Sequence, residues 1–263
     1  MNTCVFFVAF VVALFGFHVF RGKHILLPCR ARPALLPTLV LFCVAILWGC
    51  APAAQKTADR LEPSIHWRKD FTGKYLNDPT VGQLIAVQYM GGYKARVLLF
   101  VKSTVNGNPV WTEELNCDGL VGMNGIGKTR EGDNKTPTGD FGIITAFGIK
   151  ANPGTALPWV AVNKNIYCCD DPPTYNQIVD ISSLPHTCTG EHLVEYSPEY
   201  NYGFFLDYNR EGTPGKGSAI FFHCTGANAY TGGCVAINEK DMVTMLRALK
   251  PGARVVVDWM PKH

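Results

Sequence analysis

The sequence predicts a mainly β protein, a strand-rich sandwich or open barrel being the two ways to bury such a chain, with a few short helices. Three observations predict it. Short apolar runs recur between residues 84 and 258, separated by Gly, Pro, Asn and Asp clusters. Asn106-Gly107 joins two of these runs, the strongest hairpin signal in the chain. Only the segment after Asn238 repeats apolar residues at helical spacing.

The chain begins with two apolar runs. Residues 4–20 are almost wholly apolar, Arg21, Lys23, Arg30 and Arg32 follow, and a second run spans Ala34 to Gly49. Each is close to the length that spans a bilayer as a helix. The second, with its basic flank, reads as a secretory signal. It ends Leu47-Trp48-Gly49-Cys50, and a small residue before Cys resembles a bacterial lipoprotein signal with lipid on Cys50. Either the first run is a membrane helix with residues 21–33 held inside, or the signal begins near Arg21. Both place residues 51–263 outside the cytoplasm. The expected organisation is a membrane or export segment at 1–50, a polar tether at 51–79 and a folded domain at 80–260.

Within the domain, Leu84 to Tyr89 and Ala95 to Lys102 read as strands around the Gly91-Gly92 turn. Pro109 to Leu115 is the return strand after Asn106-Gly107. Gly122 to Thr129 matches the phosphate-loop pattern Gly-x4-Gly-Lys-Thr. That loop needs a helix directly after it, and Gly132, Pro137 and Gly139 forbid one. Nucleotide binding is therefore the weaker reading. The stronger is a loop beside the functional site with Lys128, Arg130 and Lys135 mostly solvated. Gly139 to Phe147, Trp159 to Val162 and Gly203 to Tyr208 read as further strands, and Asp170 to Asn176 as a turn. Asn238 caps a helix whose Met242, Val243, Leu246 and Leu249 pack on the sheet, Pro251-Gly252 ends it, and Arg254 to Asp258 is the last strand.

Composition sets limits. Hydrophobic residues make up 47% and charged residues 17%, enough for a sizeable core. The net charge is +3, with several positives before residue 33, so no basic patch argues for nucleic acid. Six of the ten cysteines lie beyond residue 51: Cys117, Cys168, Cys169, Cys188, Cys224 and Cys234. An oxidising compartment makes disulfides plausible, with Cys168 or Cys169 to Cys188 preferred. Cys188-x3-His192, with Cys168, Cys169 and His186 nearby in sequence, lacks the Cys-x2-Cys pairs of a structural zinc site. Disulfides or buried thiols are the better reading, and no metal is expected.

The chemistry concentrates in Ser218 to Ile237. An apolar run, Ser218 to Phe222, reads as a core strand ending in His223. A small-residue loop follows, then Thr231-Gly232-Gly233-Cys234 and a second apolar run. On a strand His223 and Cys224 face opposite sides. A thiol nucleophile needs a base nearby and dipoles for an oxyanion, and glycines leave backbone N–H groups uncovered.

Thr231-Gly-Gly-Cys234-Val235 after His223, Gly125 to Phe141 with its Thr136-Pro-Thr-Gly-Asp-Phe, and Asp170-Asp171-Pro-Pro-Thr-Tyr175-Asn176 resemble the L,D-transpeptidase catalytic domain family, the YkuD type. The resemblance covers roughly residues 80 to 260. It implies a mainly β fold and acyl transfer on peptidoglycan stem peptides, in the cell envelope on the periplasmic side, by a monomer without cofactor. In residue terms it implies Cys234 as nucleophile and His223 as base. The Gly232, Gly233 and Cys234 N–H groups become oxyanion donors, and Thr231, Tyr175, Asn176 and Asp171 lie near the substrate. Many relatives carry His where Gly232 stands and Arg or Asn where Ala236 stands. An L,D-carboxypeptidase or other cysteine hydrolase, and an inactive envelope-anchored binding module, stay open as alternatives.

Overall fold

A computed structural model describes residues 69–183 and 188–259. Both apolar runs, Cys50 and His186 lie outside the described residues. Among the described residues no helix is long and apolar enough to cross a membrane.

The fold is mainly β, as the apolar runs predict. Helix α1 (Lys69–Leu76) comes first, inside the stretch expected as tether, and its Tyr75 is buried. Then come β1 (Gln83–Gly91), β2 (Lys94–Val105) and β3 (Asn108–Leu120), a meander. The β2–β3 turn holds Asn106 at φ 50° and Gly107 at φ 82°, the left-handed pair that an Asn-Gly hairpin requires. Strands β4 (Gly139–Gly148) and β5 (Trp159–Ala161) follow. Three short strands, β6 (Ile166–Cys169), β7 (Gln177–Asp180) and β8 (Glu191–His192), form their own sheet. Strands β9 (Gly203–Leu206), β10 (Phe221–Cys224) and β11 (Val235–Ile237) lead to helix α2 (Glu239–Ala248) and β12 (Arg254–Trp259).

The large sheet runs β12-β1-β2-β3-β11-β10-β9-β4, with β5 beside β4, and a β12–β4 pairing closes it into a ring. Closure removes the unpaired edges of an open sheet. The seam is polar. Arg254 Nε donates to Asp140 Oδ1 at 2.9 Å, and Gly142 N–H donates to Asp207 Oδ1 at 2.7 Å. A Cβ on Gly142 would stand 2.7 Å from Asp207 Oδ2, so the seam admits no side chain there.

Side chains from all eight ring strands fill the interior, among them Val87, Val97, Phe204, Phe222, Val235 and Val257. Met242, Met245 and Leu246 of α2 and Leu249 at its C-cap join this core, whereas Val243 is only half-buried. Asn238 caps α2 by accepting from Asp241 N–H. Leu84 and Ala86 of β1 face the other way, onto Tyr75, Leu98 and Phe100. Strand β1 is thus buried on both faces, which is why Leu84-Ile-Ala-Val87 does not alternate.

The small β7-β6-β8 sheet covers part of the outside of the ring. A Cys169–Cys188 disulfide ties it together, resolving the choice between Cys168 and Cys169. Under it Phe147, Phe205, Phe221, Tyr200, Cys168 and Cys234 form a second core. Two sequence expectations change. Strand β10 starts at Phe221, not Ser218, because Ala219 takes φ 52° and breaks the run. Lys128 is not solvated: its side chain is 2% exposed and paired at 3.0 Å with Asp133. Arg130 is exposed and Lys135 half-buried.

Candidate active site

Strands β10 and β11 lie side by side and parallel, with His223 opposite Ala236. Cys234 immediately precedes β11. Alternation along β10 sends Cys224 into the ring core and His223 outward against the Tyr200 ring, at 5.4 Å between centroids. A cavity of about 740 Å³ opens between the ring and the small sheet, and His223, Thr231, Gly232, Gly233, Cys234 and Ala236 all line it.

The Cys234 sulfur is a free thiol held at three points. Its Sγ–H donates to Ala219 O at 3.1 Å, Phe221 N–H donates to Sγ at 3.3 Å, and its own backbone carbonyl is clamped. That carbonyl accepts from the Thr231 hydroxyl at 2.7 Å and the Thr136 hydroxyl at 3.0 Å. Thr231 Oγ1 also accepts from Gly233 N–H at 3.2 Å, so this expected oxyanion donor is occupied in the resting site. Gly233 has φ 149°, and a Cβ there would meet Lys135 O at 3.0 Å; the turn before the sulfur needs glycine.

Among the described residues no hydrogen bond joins His223 to Cys234. The ring's Nδ1 lies 2.7 Å from Cys224 O. A carbonyl only accepts, so Nδ1 carries the proton and Nε2 keeps its lone pair. No buried side-chain nitrogen lacks a partner among the described residues, so the unbonded Nε2 is open to the cavity. Burial pushes the His223 pKa down, against the Cys224 carbonyl and the Glu199 charge, which raise it. Burial pushes the Cys234 thiol up to about 12, helped by the Glu191 charge and opposed by Phe221 N–H and the Lys128 charge. The resting pair is neutral imidazole and neutral thiol.

The other expected site residues sit around the cavity. The Tyr175 hydroxyl donates to Glu131 Oε2 at 2.5 Å. Asn176, buried at φ 61°, donates to Tyr208 O and Asn209 O and accepts from Ala219 N–H at 2.9 Å. Asn176 therefore acts on the sulfur through Ala219, whose carbonyl holds the thiol. Asp171 Oδ1 accepts from Thr189 N–H. Of the four residues expected near the substrate, only Thr231 lines the cavity itself.

The phosphate-loop resemblance has a local answer. No helix follows Thr129, and the Asp133 carboxylate takes the N–H groups of Thr129, Arg130 and Lys135 as well as the Lys128 ammonium. The loop supplies its own anion. The Cys169, Asp171 and Cys188 ligand atoms lie within 4.8 Å of one another, but both sulfurs are spent in the disulfide. His192 instead bonds Glu195 and Lys164 O.

A family model described as YkuD, L,D-transpeptidase catalytic domain, matches residues 93–257, well over half of the chain. The chain belongs to the L,D-transpeptidase family. No curated protein sequence matches it. Among solved structures it is similar to the helical cell shape determining protein Pgp2 from Campylobacter jejuni, at 15% identity and TM-score 0.37. That match covers 75% of this chain and 57% of that one.

Four residues at the site of this L,D-transpeptidase domain escaped the sequence reading. Thr136 lies in the motif that carries the resemblance, but its hydroxyl contact with Cys234, 98 residues away, leaves no local signal. Ala219 is a non-glycine residue at positive φ, which nothing in Ser-Ala-Ile announces. Glu191 and Tyr200 look like ordinary loop residues, yet the Tyr200 hydroxyl donates to Glu191 beside the cavity.

Proposed function

We propose that this L,D-transpeptidase-family protein is a cysteine acyltransferase acting on peptidoglycan stem peptides in the cell envelope, with Cys234 as nucleophile and His223 as base. One observation carries the reading: a free thiol and an imidazole with an open Nε2 line the same cavity. Nε2 takes the thiol proton, and Sγ attacks a peptide carbonyl and forms a thioester. The leaving amine takes the proton back from His223. The Gly232 and Cys234 N–H groups receive the oxyanion, and Gly233 N–H joins them on release from Thr231 Oγ1. One such donor is typically worth about 3 kcal/mol of barrier. An amine then resolves the thioester by transfer.

Because the resting sulfur donates to Ala219 O, activation requires the side chain to rotate toward the ring when substrate enters. Apo sites commonly show such loose geometry, tightening only in the substrate complex. The same contact supports a second reading, a binding module in which the thiol stays parked on Ala219 O.

Incubating the purified full chain with muropeptides and analysing it by mass spectrometry tests both. The transferase reading requires a substrate-derived adduct on Cys234 that is absent in Cys234→Ala and strongly reduced in His223→Ala. Binding without any adduct favours the module.

A further inference from the structure

The cavity wall is strongly acidic. Glu131, Asp170, Glu191, Glu195 and Glu199 line it, against Lys128 as its lysine, and Lys128 is already paired with Asp133. Ala236, buried opposite His223, brings no charge to the wall. Such a wall repels a carboxylate and attracts an ammonium. One of these carboxylates is built in rather than merely exposed. Glu191 sits on β8 opposite Cys168 of β6, and accepts from the buried hydroxyl of Tyr200. The Tyr200 ring is packed edge-on against His223, Phe147 and Phe221, so it cannot swing away. One carboxylate oxygen is thereby fixed, and the group shares the cavity with Cys234.

We propose that Glu191, oriented by Tyr200, receives the ammonium of the acyl acceptor and takes its proton, so that the cavity favours transfer to an amine over hydrolysis. This rests on the acyltransferase reading for its chemistry. The step balances. The bound R–NH3+ gives one proton to Glu191 and becomes R–NH2. Its nitrogen pair attacks the thioester carbon, the C–S bond breaks, and the sulfur leaves with that electron pair. The second nitrogen proton passes through His223 to Cys234, which regains its thiol, and Glu191 returns its proton to solvent. The groups facing Glu191 are Tyr200, Tyr196, Cys168, Cys234, Glu131 and Asp170. Burial raises its carboxyl to about 6, with Tyr200 pulling it down and Glu131 and Asp170 pushing it up. It is ionised at neutral pH yet basic enough to accept a proton.

Binding is measured first, in the full chain carrying Cys234→Ala, by calorimetric titration with a stem peptide bearing a free side-chain amine and with its N-acetylated form. The expected result is at least a tenfold preference for the free amine, lost in Glu191→Gln and kept in Glu191→Asp. A preference that survives Glu191→Gln, or no preference at all, overturns the proposal. With Cys234 restored, the ratio of transfer to hydrolysis products is insensitive to how much enzyme is acylated. It should fall about tenfold in Glu191→Gln, and in the parent it should fall as pH drops through about 6. An unchanged ratio also overturns the proposal. An amine preference without any Cys234 adduct would instead remove the acyltransferase reading and leave the ammonium subsite standing, so the two failures are distinguishable.

Discussion

Strands β10 and β11 separate two free thiols that differ less in acidity than in company. Cys224 is fully buried in the ring core and donates to Tyr202 O, and burial raises its thiol to about 12. Cys234 is 8% exposed on the opposite side, and burial raises its thiol to about 12 as well. What separates them is that only Cys234 shares a cavity with the open nitrogen of His223. Under the acyltransferase reading, reactivity is a matter of access and of a base lining the same cavity, not of a thiol already ionised.

The largest test of that contrast swaps each sulfur for a methyl group. Cys234→Ala should abolish adduct formation and lower turnover by about 10⁴-fold or more. Cys224→Ala should keep turnover within about threefold and cost roughly 1–2 kcal/mol of stability by urea melt. Comparable losses from both would erase the distinction. Next in size is His223→Ala, which should slow turnover by about 10²–10⁴-fold. It should also suppress iodoacetamide labelling of Cys234, read by peptide mapping, while Cys224 stays unlabelled in both proteins.

The pH dependence sharpens the comparison. Both folded thiols hold their protons above the ordinary thiol value of about 8.5. A raised acid pKa favours folding below the unfolded value and loses that contribution as pH rises towards the folded one. Unfolding free energy should therefore fall as pH climbs from about 8.5 to 12, with each Cys→Ala variant removing part of the slope. Over pH 7 to 10, Cys234 labelling should rise about tenfold per unit as the thiolate fraction grows. A plateau near neutrality would mean a thiol already ionised. An effect on stability rather than turnover is expected from Thr136→Val, which strips one hydroxyl from the Cys234 carbonyl and leaves Gly122 N–H without its acceptor. It should cost about 1–3 kcal/mol in thermal melts, largely restored by Thr136→Ser.

The strands were legible where one physical signal sufficed. Asn106-Gly107 could only turn, Leu84 to Val87 could only be buried, and Asn238 followed by Glu239 and Asp241 could only begin a helix. The proposed nucleophile and base stood out in the sequence as residue types at a spacing, and the structure places both on one cavity. Their surroundings were not, because these depend on contacts far apart in the chain. The Ala219 conformation is imposed by Asn176, 43 residues earlier. The solvated reading of Lys128 failed because Asp133, five residues on, curls back beneath it. Ring closure likewise rests on Arg254 finding Asp140, a pairing no local pattern encodes.

That seam has a consequence for how the molecule is made. Strand β12 is the piece that shuts the ring, pairing β1 on one side and β4 on the other. A nascent chain lacking it exposes two unpaired strand edges at once, so the barrel cannot close before β12 has been made. Premature termination anywhere before Arg254 should yield not a slightly shorter protein but one prone to aggregate.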